Sequence, residues 1–117
     1  MNWTAIGSVC LGLAVILGAF GAHGLKDKLD PYSMGIYEKA VFYHFIHALG
    51  ILIASQMQRT QWVCGLLFFG ILIFSGSLYA LAISGVRILG AITPIGGVCF
   101  IAAWFLLAWV NLNRKVN

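Results

Sequence analysis

The sequence predicts an all-α integral membrane protein, a bundle of four transmembrane helices with antiparallel neighbours and a short interfacial segment between the first two. Of its 117 residues, 62% are hydrophobic and 9% are charged, and the mean hydropathy is +0.97, far outside the range of soluble domains. Four apolar stretches, each near the ~20 residues that cross a bilayer, are separated by short polar breaks. We expect a single membrane domain over residues 1–117.

The first two spans enclose a charged connection. Residues 3–22 carry no charge and form the first predicted span. A secretory signal peptide is the rival interpretation, but no Lys or Arg precedes the apolar run. Residues 21–32 mix charges of both signs with leucines and are punctuated by Pro31, which predicts a short interfacial helix or turn. The second span is predicted over residues 34–57.

The last two spans follow tight breaks. The polar turn 56–61 makes the second and third helices an antiparallel hairpin. Trp62 opens the third span, residues 62–84, at the interface where an indole is favoured. A short connection leads to the fourth span, residues 89–111. Four crossings place both termini on the same side of the membrane.

Charge and cysteine usage exclude several classes of protein. The net charge of +4 is spread over the loops and tail in ones and twos, which favours topology setting and lipid headgroup contact over nucleic-acid binding. Cys10, Cys64 and Cys99 lie inside apolar segments without a Cys-x-x-Cys pair, so we interpret them as small buried thiols and predict neither a metal nor a cofactor. The expected partners are membrane lipids, together with other copies of the chain or other membrane proteins.

Two histidines of the second helix lie deep in the predicted membrane. Helical spacing puts His44 and His47 on one face with Tyr37 and Ala40. With the hydrocarbon boundary near Gly35, they lie about 12 Å and about 16 Å below the surface. Ionisable groups at that depth are costly unless they face the bundle interior. They form either a proton, metal, haem or ligand site, or two neutral imidazoles bonded to carbonyls or hydroxyls of a neighbouring helix.

Polar residues from all four helices fall in the half of the bilayer opposite the termini, which predicts a polar, ligand-binding cavity in one leaflet. The candidate residues are His23, His44, His47, Ser75, Ser77, Tyr79 and Thr93. We expect His47 to face the bundle interior and to bond to one of the three hydroxyls of the third helix. Thr93 and the turn 94–97 would close the same cavity. The hydroxyls could instead bond back to their own helices.

Small residues recur where helices could approach closely. The first helix repeats them at four-residue spacing, the third carries a second stripe, and a proline followed by two glycines opens the fourth. The proline is tolerated near a helix start or kinks the helix, and the glycines let another helix or a ligand come near. The positions predicted for close packing are Gly18, Gly21, Gly76, Pro94, Gly96 and Gly97.

Four motifs in this order resemble those of the domain-of-unknown-function family 423. They are Gly-Ala-Phe-Gly-Ala-His at 18–23, His-Ala-Leu at 47–49, Ser-Gly-Ser-Leu-Tyr at 75–79 and Thr-Pro-Ile-Gly-Gly at 93–97. The resemblance covers nearly the whole chain and includes His23 and His47, whereas His44 lies outside the motifs. It implies a small inner-membrane protein of bacteria, with relatives in eukaryotes and no established enzymatic activity.

Three functions from different classes remain open. A structural or interaction protein that supports membrane or envelope components is favoured, because no motif supplies a complete catalytic set. A binder or carrier of a small polar ligand, proton or ion is the alternative that the one-sided cluster supports. A haem or metal redox protein is less favoured, because His23 is interfacial while His47 is deep. Acyl transfer by Ser75 or Ser77 with His47 lacks an orienting third group.

The orientation in the membrane is predicted from the basic residues, whose numbers on the two sides are almost equal. Lys26, Lys28, Lys39 and Arg87 lie on the loop side, against Arg59, Arg114 and Lys115 on the side of the termini. We expect a multi-pass protein of the inner (plasma) membrane with both termini cytoplasmic, because the basic tail directly follows the last span.

Overall fold

The computed structural model describes residues 1–114, which form four long helices joined by short connections. The helices are α1 (Trp3–His23), α2 (Pro31–Ser55), α3 (Gln61–Ser84) and α4 (Leu89–Leu112). One π-helical stretch, Ile71–Ser75, interrupts α3, and the described residues contain no strand. All four helices are long and apolar enough to cross a membrane, so the predicted all-α bundle of four spans is confirmed.

The start of α2 differs from the expectation, because the helix begins at Pro31 and not at residue 34. The Asp30 side chain caps the helix by accepting a hydrogen bond of 2.7 Å from the Ser33 amide. Pro31 occupies the first helical position, where its missing N–H costs nothing. The same bond lowers the pKa of Asp30 below its ordinary value. The interfacial segment is therefore a short turn. The side chain of Leu25, in this turn, is buried against the bundle.

Side-chain hydrogen bonds stabilise the turn that connects α2 and α3. The Thr60 hydroxyl donates to the carbonyls of Ala54 and Met57, at the end of α2 and just after it. Arg59 takes the left-handed conformation, with φ of 63°. Trp62 follows with 78% of its surface exposed, as expected for an indole at the interface. This end of the bundle, which also carries residues 1–4 and 111–114, is the terminal face; the opposite end is the loop face.

Helix α2 is the centre of the packing. It lies against α1 on one side and α3 on the other, α3 packs against α4, and α1 and α3 scarcely touch. Apolar residues fill the terminal half of the bundle, and a smaller apolar cluster lies near the loop face. The terminal cluster comprises Cys10, Ala48, Ile51, Ala54, Val63, Cys64, Leu67, Ile71, Phe100 and Ala103. Two of the three cysteines are thus buried thiols, while Cys99 is half-buried.

Two of the predicted glycines allow close approach. Gly21 lies under the ring of Tyr37, where a Cβ atom would overlap the ring carbons. Gly96 lies against the backbone of Phe74, in the π-helical stretch of α3, and a Cβ there would overlap backbone atoms. A third glycine, Gly70, was not singled out from the sequence, although a Cβ there would lie 2.5 Å from the Phe100 ring. These glycines let α1 reach α2 and α4 reach α3.

The other predicted positions pack less tightly. A Cβ at Gly18 or Gly97 would meet only ordinary van der Waals neighbours, at 3.4 Å and 3.7 Å respectively. Pro94 is exposed inside α4. The prediction is wrong for Gly76, where a Cβ would have no neighbour within 4 Å. Gly76 lies about 120° around the helix from Gly70, which faces α4, so it does not share that contact.

Candidate functional site

His44 connects α2 to α3 at the centre of the bundle. Its side chain is buried, and its Nδ1 atom lies 2.9 Å from the hydroxyl of Tyr79 on α3. Cys10, on α1, lines the same groove as this ring. A hydroxyl and an imidazole nitrogen can each donate or accept, so the contact is a hydrogen bond in either tautomer of His44. The imidazole therefore holds α3 to α2.

Tyr37 makes a hydrogen bond between α1 and α2, two turns before His44. Its hydroxyl donates to the backbone carbonyl of Leu17 at 2.6 Å. Its ring is 1% exposed and meets the ring of Tyr79 edge to face, with 5.2 Å between centroids. Sequence analysis placed Tyr37 on the histidine face but did not assign it to the site. The signal was its spacing of seven residues from His44.

His47 is buried, as predicted, but its partner differs from the prediction. Nδ1 donates at 2.7 Å to the carbonyl of Tyr43 on its own helix, and not to a hydroxyl of α3. The ring stacks on Phe100 of α4, with centroids 3.5 Å apart and planes inclined by 10°. Trp104 lies 5.7 Å away between ring centroids. His47 therefore belongs to an aromatic contact between α2 and α4.

The prediction for His47 is wrong for two reasons: its side chain faces α4, and the hydroxyls of α3 lie at a different level along the helix axis. Residues 44 and 47 lie about 60° apart around a helix, which is enough for one to face α1 and α3 and the other α4. Ser75 reaches α2 at Ala40, where its hydroxyl donates to the backbone carbonyl at 2.9 Å. That contact lies about 10 Å along the axis before His47, at 1.5 Å per residue. The hydroxyls of α3 are thus at the level of His44 or nearer the loop face.

A hydroxyl pair connects α3 to α4. Ser77 Oγ and Thr93 Oγ1 are 2.6 Å apart, with Ser77 buried and Thr93 half-buried. Ser77 Oγ also lies 3.0 Å from the Phe74 carbonyl oxygen, and Thr93 Oγ1 lies 3.3 Å from that of Leu89. Because each hydroxyl has one proton, one of them donates to the other hydroxyl and the accepting one donates back to its own helix. The two interpretations of these hydroxyls, bonding across helices and bonding back, are therefore both realised.

Together these contacts supply polar bonds at three consecutive interfaces of the bundle. Between α1 and α2 the bond comes from Tyr37, between α2 and α3 from Ser75 and Tyr79, and between α3 and α4 from Ser77. Within residues 1–114, every buried side-chain nitrogen and oxygen has a hydrogen-bond partner. The cluster predicted from the sequence is thus a set of separate interhelical bonds. Its members do not face a common cavity.

His23 does not join this set. It is exposed at the end of α1, on the loop face, whereas His47 is buried against α4. The pair that a bis-histidine haem would require is not brought together. Within the described part of the chain, no three His, Cys, Asp or Glu side chains are grouped as metal ligands.

Among the cavities on the surface of the bundle, three are considered for ligand binding. One of 170 Å³ lies between α1 and α2 near the loop face, next to Gly21 and Glu38. One of 280 Å³ is polar and lies at the terminal face, next to Arg59. The third, of 470 Å³, is an apolar groove between α1 and α3. Of the predicted site residues among the described ones, only His44 contributes to the wall of that groove.

The fold and its buried polar bonds define the chain as a four-span integral membrane protein of uncharacterised activity. Residues 17–97 match a family described as protein of unknown function (DUF423). The chain belongs to this family, as its four motifs predicted.

Relatives extend the similarity over almost the whole chain. A UPF0382 membrane protein of Staphylococcus epidermidis is 52% identical over 113 residues, covering 92% of this chain and 93% of that protein. The UPF0382 membrane protein YwdK of Bacillus subtilis is 42% identical over 109 residues, covering 87% and 88% respectively. No solved structure matches the chain.

The bond between His44 and Tyr79 should be measurable as a coupling in stability. We expect a double-mutant cycle of His44→Leu and Tyr79→Phe to give a coupling of about 0.6 kcal/mol, up to about 1.7 kcal/mol, as for hydrogen bonds between other membrane helices. Unfolding in mixed micelles of increasing sodium dodecyl sulfate content provides the measurement. The control cycle pairs His44→Leu with Tyr32→Phe, because Tyr32 is 78% exposed. Equal coupling in both cycles would contradict the bond.

Proposed function

We propose that this protein is a structural, interaction component of the bacterial inner membrane that supports other membrane or envelope components. The observation that carries the proposal is that, within residues 1–114, every buried polar side-chain atom has a hydrogen-bond partner inside the bundle. Hydrogen bonds between helices are a means of stabilising a bundle in lipid, where the hydrophobic effect does not drive helices together.

The outer surface supports the same proposal. Helices α1 and α4 flank the bundle and bury a smaller share of their spans than α2 and α3. On α4 the large side chains Phe105 and Trp109 are 72% and 62% exposed. Such a surface suits lateral contact with lipids, other copies of the chain or other membrane proteins. A bundle held rigid by internal bonds would present this surface in a fixed arrangement.

A binder or carrier of a small polar ligand, proton or ion has less support. Its best argument is the contact between His44 and Tyr79, since an imidazole and a phenol can exchange a proton. A carrier also requires a path from both faces to such a pair. On the terminal side of His44, the bundle interior is filled by the apolar cluster around Ile51 and Leu67.

We propose a location in the plasma membrane with both termini cytoplasmic. Arg114 directly follows α4 and Arg59 lies in the turn on the same face, while Lys115 falls outside the described residues. An alkaline phosphatase fused to the C-terminus should be inactive, and the same enzyme inserted after Lys28 should be active. The reverse pair of activities would overturn this orientation.

Genetic complementation tests the structural proposal against the carrier. His44→Gln keeps a side chain that can bond to Tyr79 but cannot titrate. In a deletion strain under osmotic or detergent challenge, we expect this variant to restore growth as well as the unaltered protein does. Phe105→Ala combined with Trp109→Ala should fail to restore growth, because these side chains form the outer surface. Membrane abundance of each variant is measured as the control.

The opposite pattern would favour a carrier. If His44→Gln reaches normal abundance but does not restore growth, while the variant altered on α4 does, the titratable side chain is needed and the outer surface is not. That result would overturn the structural proposal.

A further inference from the structure

The crevice between α1 and α3 is an unusual feature of the bundle. Both helices pack on α2, yet they scarcely touch each other. Two of the cavities described above border this crevice. The apolar groove is bordered by residues 5–13 of α1 and 68–72 of α3, and the polar cavity by residues 1–4, Ser55, Met57, 59–61 and Cys64.

The apolar groove has the depth of one leaflet. From Ala5 to Leu13 it extends about 12 Å at 1.5 Å per residue, against about 15 Å for half of a hydrocarbon core. Val9 and Leu72 line its sides and are more than half exposed. Its inner end is at His44, near the middle of the membrane. Its shape and lining suit a hydrocarbon chain that enters from the terminal face.

The polar cavity supplies a positive charge at the head of the groove. Arg59 is the only charged side chain in its wall. The three acidic residues of the chain, Asp27, Asp30 and Glu38, all belong to the loop face or to the start of α2. The positive potential at Arg59 is therefore not opposed by a neighbouring carboxylate side chain. A guanidinium is suited to phosphate, which it can bind through two parallel hydrogen bonds.

Trp3 marks the boundary between the two cavities. It lines the polar cavity, and its ring meets Phe68 of the apolar groove edge to face, with 6.3 Å between centroids. Tryptophan is enriched where headgroups meet hydrocarbon. The crevice thus changes from polar and cationic to apolar at the level at which a phospholipid does.

We propose that this crevice binds one anionic phospholipid, with its phosphate at Arg59 and one acyl chain in the groove between α1 and α3. The positive charge at Arg59 favours a lipid over a second copy of the chain as the occupant. A copy inserted in the same orientation brings its own terminal face to this level, and that face carries no acidic side chain. The lipid supplies both the anion and the hydrocarbon, so the inference stands independently of the function proposed above.

Native mass spectrometry of the detergent-solubilised protein tests the site with phosphatidylglycerol and phosphatidylcholine of identical chains. We expect one phosphatidylglycerol to bind at least tenfold more tightly than phosphatidylcholine. Arg59→Asn should remove this preference, and asparagine is chosen because it tolerates the left-handed backbone of residue 59. The matched control is Arg87→Asn, on the loop face, which should keep the preference.

A second pair of variants tests the groove. Val9→Trp fills it and should weaken binding of both lipids at least tenfold. Val15→Trp should leave binding unchanged, because Val15 is similarly exposed but lies outside the groove. Should Arg59→Asn not fold, the preference of the unaltered protein for phosphatidylglycerol must still fall as salt is raised. Equal binding of both lipids, or a dimer that cross-links through residue 9, would overturn the proposal.

Discussion

The structure depends on one constraint: a polar group in hydrocarbon has no water to bond to, so its partner must come from the protein. His44, Ser75 and Ser77 all lie at membrane depth, and each has a partner within the bundle. In most cases that partner belongs to a different helix. The need to satisfy a buried polar atom therefore also determines which helices lie together.

This constraint divides the bundle into two halves that are stabilised differently. The terminal half is held by apolar packing, in which residues such as Ile51 and Leu67 are fully buried. The loop half is held by hydrogen bonds and by glycines that let backbones approach, as Gly96 does at the π-helical stretch of α3. Close backbone approach and hydrogen bonding are the two principal means of joining helices in lipid. The buried hydrogen bonds between helices are concentrated in the loop half, which explains why the sequence looks like a one-sided polar site.

Much of this arrangement could be predicted from the sequence, because spans and helix faces follow from apolar length and from the 3.6-residue period. The shared face of Tyr37 and His44 is an example. The bonding partners could not be predicted. Whether a histidine meets α3 or α4 depends on rotations of about 60° and on the relative height of neighbouring helices, and the period of one helix contains neither. The π-helical stretch of α3 has no signature in the apolar pattern.

The crevice between α1 and α3 could not be predicted from the sequence either, because it arises where both helices pack against α2 and scarcely against each other. Its two cavities use residues that were considered only for orientation, above all Arg59. Without the neighbouring groove, Arg59 would not be distinguished as a binding residue by its charge and its left-handed backbone.

The ring nitrogens of the two buried histidines test the account most directly. Nitrogen-15 NMR of the protein in lipid, recorded at about pH 8 where a free imidazole is neutral, distinguishes protonated from unprotonated ring nitrogens. The hydrogen bonds predict that His47 is protonated at Nδ1, which donates to the Tyr43 carbonyl, and that the Nδ1 signal of His44 shifts when Tyr79→Phe removes its partner. An unprotonated Nδ1 at His47, or a spectrum of His44 unchanged by Tyr79→Phe, would contradict the claim that these side chains are bonded within the bundle as described.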